Sequence, residues 1–451
     1  MNDDLLQLCR RVAADARPGE QIEAYAVRTH ETDIEVFSGH VESLSIAGIE
    51  GVGVRVIADG RQGFAWAGSL DESVVRDTVA DARDNAAFAE PDAWNGLAGP
   101  ADVATAPAVE LDLWRDSLAS VTTDRKIEFV LELDERLRTA DPRLRGVESA
   151  SYGDGAIESA LANSLGVHAQ VRRTIASASA SAMAGDGDET QTGYGFSVGR
   201  DFESVDLDAV VAMAVERTVR LLGARPVPSR RVPVVFDPLV TASFLAVLGA
   251  AFNAEAMLKG RSLFQDRVGE SVAAPGVRIV DDPTNPDMMG ASPHDAEGVP
   301  CRVNELVVDG VLQGFLHNTY TARRAGATTT GSAARGGYKS TPGVGIKALS
   351  FTPGTASASE VLAQAGDAFY VQSVSGIHSG TNPISGDFSV GASGLLLRDG
   401  AFTEPVREVT IASTLPRMLN DIAAIGSDLT YLPGSTAGLT LLIGDMTLSG
   451  T

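Results

Sequence analysis

Six histidines (30, 40, 168, 294, 317 and 378) and two cysteines (9 and 301) are the soft metal ligands available to this chain. Zinc needs three or four His, Cys or carboxylate ligands converging on one point. No two of the histidines share a helix face at i,i+4 spacing, and His30 with Glu31 opens an HExxH pattern whose second histidine is absent. The densest grouping is SPHDAEGVPC, where His294, Asp295, Glu297 and Cys301 could be drawn into a site; the plainer reading is an exposed polar loop with an incidental histidine. Gly195, Ser197 and Gly199 satisfy GxSxG, which in a nucleophile elbow puts the serine on a strained turn running directly from strand into helix. Here Ser197 lies inside a polar–apolar alternation and the next helix begins near Asp206, so it reads as a strand serine. Gly331, Gly336, Lys339 and Ser340 look like a phosphate loop, but Gly337 and Tyr338 occupy the Lys and Ser positions, and NTYTARRAG before them reads as helix. A flexible or gating loop is the better expectation there.

The elements that would position such groups follow from periodicity. MNDDLLQLCRRVAADA is amphipathic, with Leu5, Leu6, Cys9, Val12, Ala13 and Ala16 on one helical face. From Gln21 to Ala67 apolar residues alternate with polar ones, as a meander of short strands requires. A helix follows, with Ser69 and Glu72 at capping-box spacing and Val74, Val75, Thr78, Val79 and Ala82 as its stripe. A second set of strands, HAQVRRTIASASASAMAG and GYGFSVG, enters the helix DLDAVVAMAVERTVRLLG, with Asp206 as its N-cap and Gly223 as its stop. Gly63, Phe64 and Trp66 before one helix echo Gly193, Tyr194 and Phe196 before the other. Two readings stay open: a duplicated unit over 20–90 and 145–223, or the common look of any strand entering a helix. A further helix is expected from about Asp124 to Leu137. Prolines 226, 228 and 233 in ARPVPSRRVP oppose both helix continuation and central strand pairing, and place a boundary between residues 1–225 and 226–451. Beyond it, short apolar strands alternate with glycine-rich turns, and Asp309-Gly310 marks a hairpin. The expected class is α+β: antiparallel strand meanders with helices first, then a mostly-β domain with a few helices.

Composition narrows the function. The 451 residues hold 36 Lys and Arg against 59 Asp and Glu, a net charge of −23 that repels phosphate backbones and disfavours nucleic-acid binding. Two cysteines cannot build a disulfide framework, and the acidic start lacks the basic, apolar signature of a signal peptide. Val234 to Leu258 is broken by Asp237, Pro238, Asn253 and Glu255, so no membrane span is expected. A cytoplasmic protein is the expectation.

The segments FQDRVGESVAAPGVRIVDDP, HDAEGVPCRVNELVVDGVLQGFLHNTYTARRAG, TTTGSAARGGYKSTPG, SGTNPISGDFSVGASGLLLRDG and AIGSDLT, in this order, closely resemble the TldD/PmbA family of bacterial zinc metallopeptidases, whose first members were described as modulators of DNA gyrase. SGHVESLSIAGIEGVGVRV supports the resemblance in the first half. It implies a pair of related subunits. TldD-type chains carry HExxxH on a helix early in the C-terminal domain, two histidines binding zinc and the glutamate serving as general base, with a cysteine near the C-terminus completing the set. Counting back from RVGESVAAPG, that slot falls on LAVLGA, so Leu245, Ala246 and Ala250 stand where ligands and base would be, and the tail has no cysteine. Phe244, Leu245, Val247 and Leu248 make the segment read as packing surface. The pattern is similar to the family's metal-free branch, TldE or PmbA.

The resemblance therefore implies a non-catalytic subunit, with no metal or cofactor of its own, that joins a zinc-bearing TldD-like HExxxH chain and lines a chamber for unfolded peptides. Self-association is also implied. His378, Asn382, Asp387 and Ser389 in SGIHSGTNPISGDFS are the candidate peptide-cleft residues; tight turns are the alternative for that segment. Rival readings are a peptidase active alone through a metal site around His294, Cys301 or His378, and a homo-oligomeric scaffold.

Overall fold

The computed structural model describes residues 3–185 and 187–450. Helix α1 (Asp3–Ala14) precedes three antiparallel strands, β1 (Glu20–Phe37), β2 (His40–Ala58) and β3 (Arg61–Ala67), and helix α2 (Glu72–Phe88) closes the unit. The same arrangement returns as α3 (Thr123–Thr139), β4 (Leu144–Asn163), β5 (His168–Ala184), β6 (Gln191–Gly199) and α4 (Leu207–Val219). The six strands form one sheet in the order β3-β2-β1-β4-β5-β6. At the centre Arg28 of β1 faces Glu158 of β4. These two are as far apart along the chain as Gly63 and Gly193. Both glycines serve close helix packing: a Cβ on Gly63 would lie 2.0 Å from the Ala82 carbonyl oxygen of α2, and one on Gly193 2.3 Å from the Thr218 nitrogen of α4.

The strands' alternation separates two faces. Ile22, Ala24, Ala26, Val52, Val54 and Val56 pack under α1 and α2, while Val36, Ala150, Tyr152, Ala178 and Ala180 pack under α3 and α4. Tyr25, Ile157, Ser159, Val171, Arg173 and Ile175 occupy the opposite face, which meets the C-terminal half. Asp206 caps α4 as expected, accepting from the Ala209 N–H at 3.0 Å. Ser69 does not cap α2. That helix starts at Glu72 with Asp71 in the N-cap position, and the Ser69 hydroxyl accepts from the Asp71 N–H in the turn that carries the chain off the sheet.

In the C-terminal half, β7 (Arg230–Phe236) is flanked by the parallel β8 (Ala368–Ser375) and the antiparallel β11 (Leu441–Ser449). Strands β9 (Asp387–Arg398) and β10 (Ala401–Thr414) follow β8, and β10 pairs back to β11 through Thr410 and Ser449, closing a small barrel. Phe236, Phe244, Phe369 and Phe388 fill its core. Asp309 and Gly310, both at positive φ, make the expected hairpin turn. The class is the expected mixed α+β, with an antiparallel sheet and helices followed by a β-rich region. No helix among the described residues is long and apolar enough to cross a membrane.

Candidate functional site

Helix α5 (Pro238–Leu248) carries Leu245 and Ala246 of the expected slot, and Ala250 follows in the short 3-10 turn Gly249–Phe252. The helix leaves β7 through Asp237, whose carboxylate accepts from the Leu239 N–H, and Pro238 supplies the fixed φ favoured in a first turn. Asp237 also accepts from Arg217 Nη1 of α4 at 2.7 Å and from the Tyr370 hydroxyl at 2.6 Å, which ties the helix start to the N-terminal unit. Phe244, Leu245 and Leu248 face the barrel core and are fully buried. Ala246 and Ala250 are exposed. The segment is thus packing surface on one side only, because positions 246 and 250 stand one helical turn apart on the outward face. Both look into a hollow of about 160 Å³ completed by Gly249, Asn253, Leu316, Val344, Gly345 and Ile346. Asn253 braces its floor, donating from Nδ2 to the Val344 carbonyl at 2.9 Å.

Ile346 also lines a larger cavity of about 480 Å³ between the open face of the N-terminal sheet and the C-terminal loops. Arg173, Arg200, Arg335, Lys347, His294 and Asp295 supply its charged and titratable groups. Burial and the nearby Glu297 push the Asp295 carboxyl upward, against the charge of Lys347 and the N–H groups of Ala333 and Glu297; the Val299 N–H also donates to it at 3.0 Å. Burial lowers the pKa of His294, and its Nδ1 is buried with no hydrogen-bond partner. Behind this cavity lies a buried ionic network across the two halves. Glu23 of β1 takes Arg55 of β2 at 3.0 Å and Arg335 from the C-terminal half, and Arg55 also reaches Glu297 at 3.4 Å. Glu297 accepts in addition from the N–H and hydroxyl of Thr319, at 2.9 and 2.8 Å.

The loop SPHDAEGVPC is therefore part of a buried joint and is not an exposed loop. Cys301 is fully buried in it and points its thiol to the Gly331 carbonyl; burial raises that thiol to about 12. Asp295 and Glu297 are committed to backbone and Arg55, so the four residues do not form a ligand set. The glycine-rich segment after it is likewise held in place. Tyr338 is buried against β2, where a Cβ on Gly51 would fall 2.5 Å from its ring, and Lys339 lies over the Trp66 ring. Ser197 is a strand serine whose hydroxyl accepts from the Asp206 N–H at 2.9 Å.

Three family models match in succession: the PmbA/TldA metallopeptidase domain 1 over residues 22–86, its central domain over 116–222, and its C-terminal domain over 229–450. The chain belongs to the PmbA/TldD metallopeptidase family. It is 26% identical to the metalloprotease PmbA homolog of Haemophilus influenzae over 96% of this chain and 93% of that one. With the metalloprotease PmbA of Escherichia coli O157:H7 it shares 26% over 91% and 88% of the two chains. The crystal structure of TldE from Thermococcus kodakarensis has the same fold, with a TM-score of 0.88 at 22% identity, covering 99% of this chain and 100% of that one.

A metallopeptidase of this family requires metal ligands, and the residues at the α5 slot do not fit a metal: a buried leucine and two alanines offer no lone pair. Among the described residues no group of three or more His, Cys, Asp or Glu is placed to hold an ion. Of the four cleft candidates, Asn382, Asp387 and Ser389 line one surface hollow on β9 and the loop before it; His378 sits on the adjoining helical turn and does not line it. All four are exposed. The Asn382 side-chain oxygen accepts from the N–H groups of Ile384 and Ser385, and Asp387 accepts from the Ser385 hydroxyl at 2.6 Å, so these polar groups knit a tight turn. Sequence reasoning missed the cations of the larger cavity. Their one linear signal is the pair Arg172-Arg173, which precedes the run ASASASA in the same strand.

Proposed function

We propose that the chain is the non-catalytic, TldE/PmbA-like subunit of a TldD/TldE-type metallopeptidase that processes or degrades peptides and unfolded proteins. The observation that carries this is the occupancy of helix α5, where Leu245 is sealed in the core and Ala246 and Ala250 face an open hollow. The hollow is lined by no group that can bind zinc or take a proton. Zinc and the water it activates belong in this reading to a TldD-like chain carrying HExxxH.

A surface for that partner is available. Residues 40–50 of β2 pair only with β1, beyond the reach of β3, and their backbone edge is open. Phe37, Val41, Leu44, Ile46 and Ile49 on this projecting hairpin are exposed. An exposed apolar strand edge is a template for pairing with another chain, and the same edge serves self-association when the partner is absent. The charge of −23 argues against nucleic acid, and two unpaired buried thiols suit the cytoplasm.

The test is metal content and cleavage. The purified chain should carry substoichiometric zinc and leave an unfolded peptide intact, and adding an HExxxH-bearing relative should produce chelator-sensitive cleavage. Stoichiometric zinc together with chelator-sensitive cleavage by this chain alone would overturn the reading.

A further inference from the structure

We propose that the cavity between the open face of the N-terminal sheet and the C-terminal loops binds an organic carboxylate, the C-terminal residue of a short peptide, on Arg173, Arg200 and Lys347. The charge census of the cavity carries the argument. Four cations line it, Arg173, Arg200, Arg335 and Lys347, against one carboxylate, Asp295. In a chain of net charge −23 this is a local reversal of sign. Arg335 is neutralised by Glu23. The Asp295 oxygens are taken by three backbone N–H groups.

The other three cations make no ion pair in the cavity: Arg173 and Arg200 face no carboxylate there, and the charge of Lys347, although it acts on Asp295 and on the buried Asp281, closes no salt bridge with either. Arg200 is buried and donates only to the carbonyls of Thr174, Pro286 and Met288. Lys347 Nζ donates to the Ala333 carbonyl at 2.8 Å. Arg173, half-buried on β5, donates to no group among the described residues. Arg200 is held below its ordinary pKa by burial, then by the charges of Arg173 and Arg115, and Asp287 and Asp112 outside the cavity only partly offset them. Like charges gathered in a partly desolvated space are relieved by an anion placed among them, and guanidinium groups match the two oxygens of a carboxylate.

The walls specify the rest of the ligand. Ile157, Val171, Ile175 and Ile346 give the cavity apolar sides, which suit a carboxylate attached to an aliphatic body better than inorganic phosphate. A volume of about 480 Å³ lies within the roughly 300–1,000 Å³ range of small-molecule sites. Through Ile346 the cavity adjoins the alanine-lined hollow of α5, so a peptide ending at the arginines has an apolar recess for a neighbouring side chain. That the carboxylate is a peptide terminus rests on the function proposed above; the unpaired cations do not.

The experiment uses the full chain alone, with calorimetric titration of N-acetyl-leucyl-leucine, of the same dipeptide as its C-terminal amide, and of inorganic phosphate. The free acid should bind one per chain and the amide at least tenfold more weakly. Arg173→Gln should weaken the acid at least tenfold without lowering the thermal midpoint of the free protein, because Arg173 donates to no group among the described residues and its removal relieves repulsion on Arg200. Equal binding of acid and amide, wild-type affinity in Arg173→Gln, phosphate binding as tightly as the acid, or no binding of any probe each overturns the assignment. No metal-bearing partner is present, so failure here leaves the subunit reading standing, and zinc found in the chain would leave this site standing.

Discussion

Replacing Glu23 by Gln tests the joint between the two halves. Glu23, Arg55, Glu297 and Arg335 form a buried set of two acids and two bases, each with a side chain no more than 5% exposed. Glu23→Gln keeps the shape and removes one charge, leaving Arg55 with Glu297 and Arg335 with the Ala296 carbonyl. Breaking one side of a buried pair typically costs ~3–5 kcal/mol, because the other side is stranded away from water. The Gln oxygen can still accept from one arginine, so a loss near the lower end, about 3 kcal/mol, is expected. The pH dependence has a definite sign. Burial opposes ionisation of Glu23, but Arg55 and Arg335 outweigh it and hold its pKa below the ordinary glutamate value. A depressed carboxylate contributes stability above its unfolded pKa of about 4.3, and that contribution is lost as pH falls through the folded value. The gap between wild type and Glu23→Gln should therefore be full at neutral pH and shrink below about pH 4.3. Urea unfolding followed by the fluorescence of Trp66, Trp94 and Trp114, all in the N-terminal half, measures it. A neutral-pH gap under about 1 kcal/mol, or one that stays constant on acidification, would refute the claim that this network joins the halves.

Two further outcomes can be checked directly. Gly63→Ala should lower the unfolding free energy by more than the ~1–3 kcal/mol of ordinary overpacking, because the new Cβ meets backbone atoms of α2 at 2.0 and 2.3 Å, while Gly314→Ala, with open space around it, should change little; equal effects at the two sites would contradict the packing argument. Burial raises both Cys9 and Cys301 to about 12, so neither should react with iodoacetamide at pH ~8 in the native chain while both react in urea. Native labelling at the unfolded rate would show that these thiols are accessible.

Much of the fold was legible because its signals are local. Alternation over residues 20–67 and again from 168 onward marks strands whose partners follow directly, and Asp206 lies three residues from the N–H it caps. Ser69 and Glu72 misled for the same reason: their spacing fits a cap, but the chain must first turn off β3, and the serine is spent on that turn. The loop with His294, Asp295, Glu297 and Cys301 reads as exposed because it is polar. Its burial depends on Arg55, a partner 242 residues away that no window around the loop contains.

The slot on α5 shows the same division. Residue types alone establish that Leu245, Ala246 and Ala250 cannot bind zinc, since that follows from the absence of a lone pair and not from position. Which of them is sealed and which faces a hollow depended on how α5 sits on the barrel. Net charge, too, is a sum without coordinates: −23 describes the surface as a whole and conceals a cavity where the balance is positive. Periodicity and composition belong to the chain because they arise between neighbours. The pairing of charges belongs to the fold, because it is decided by which distant segments packing brings into contact.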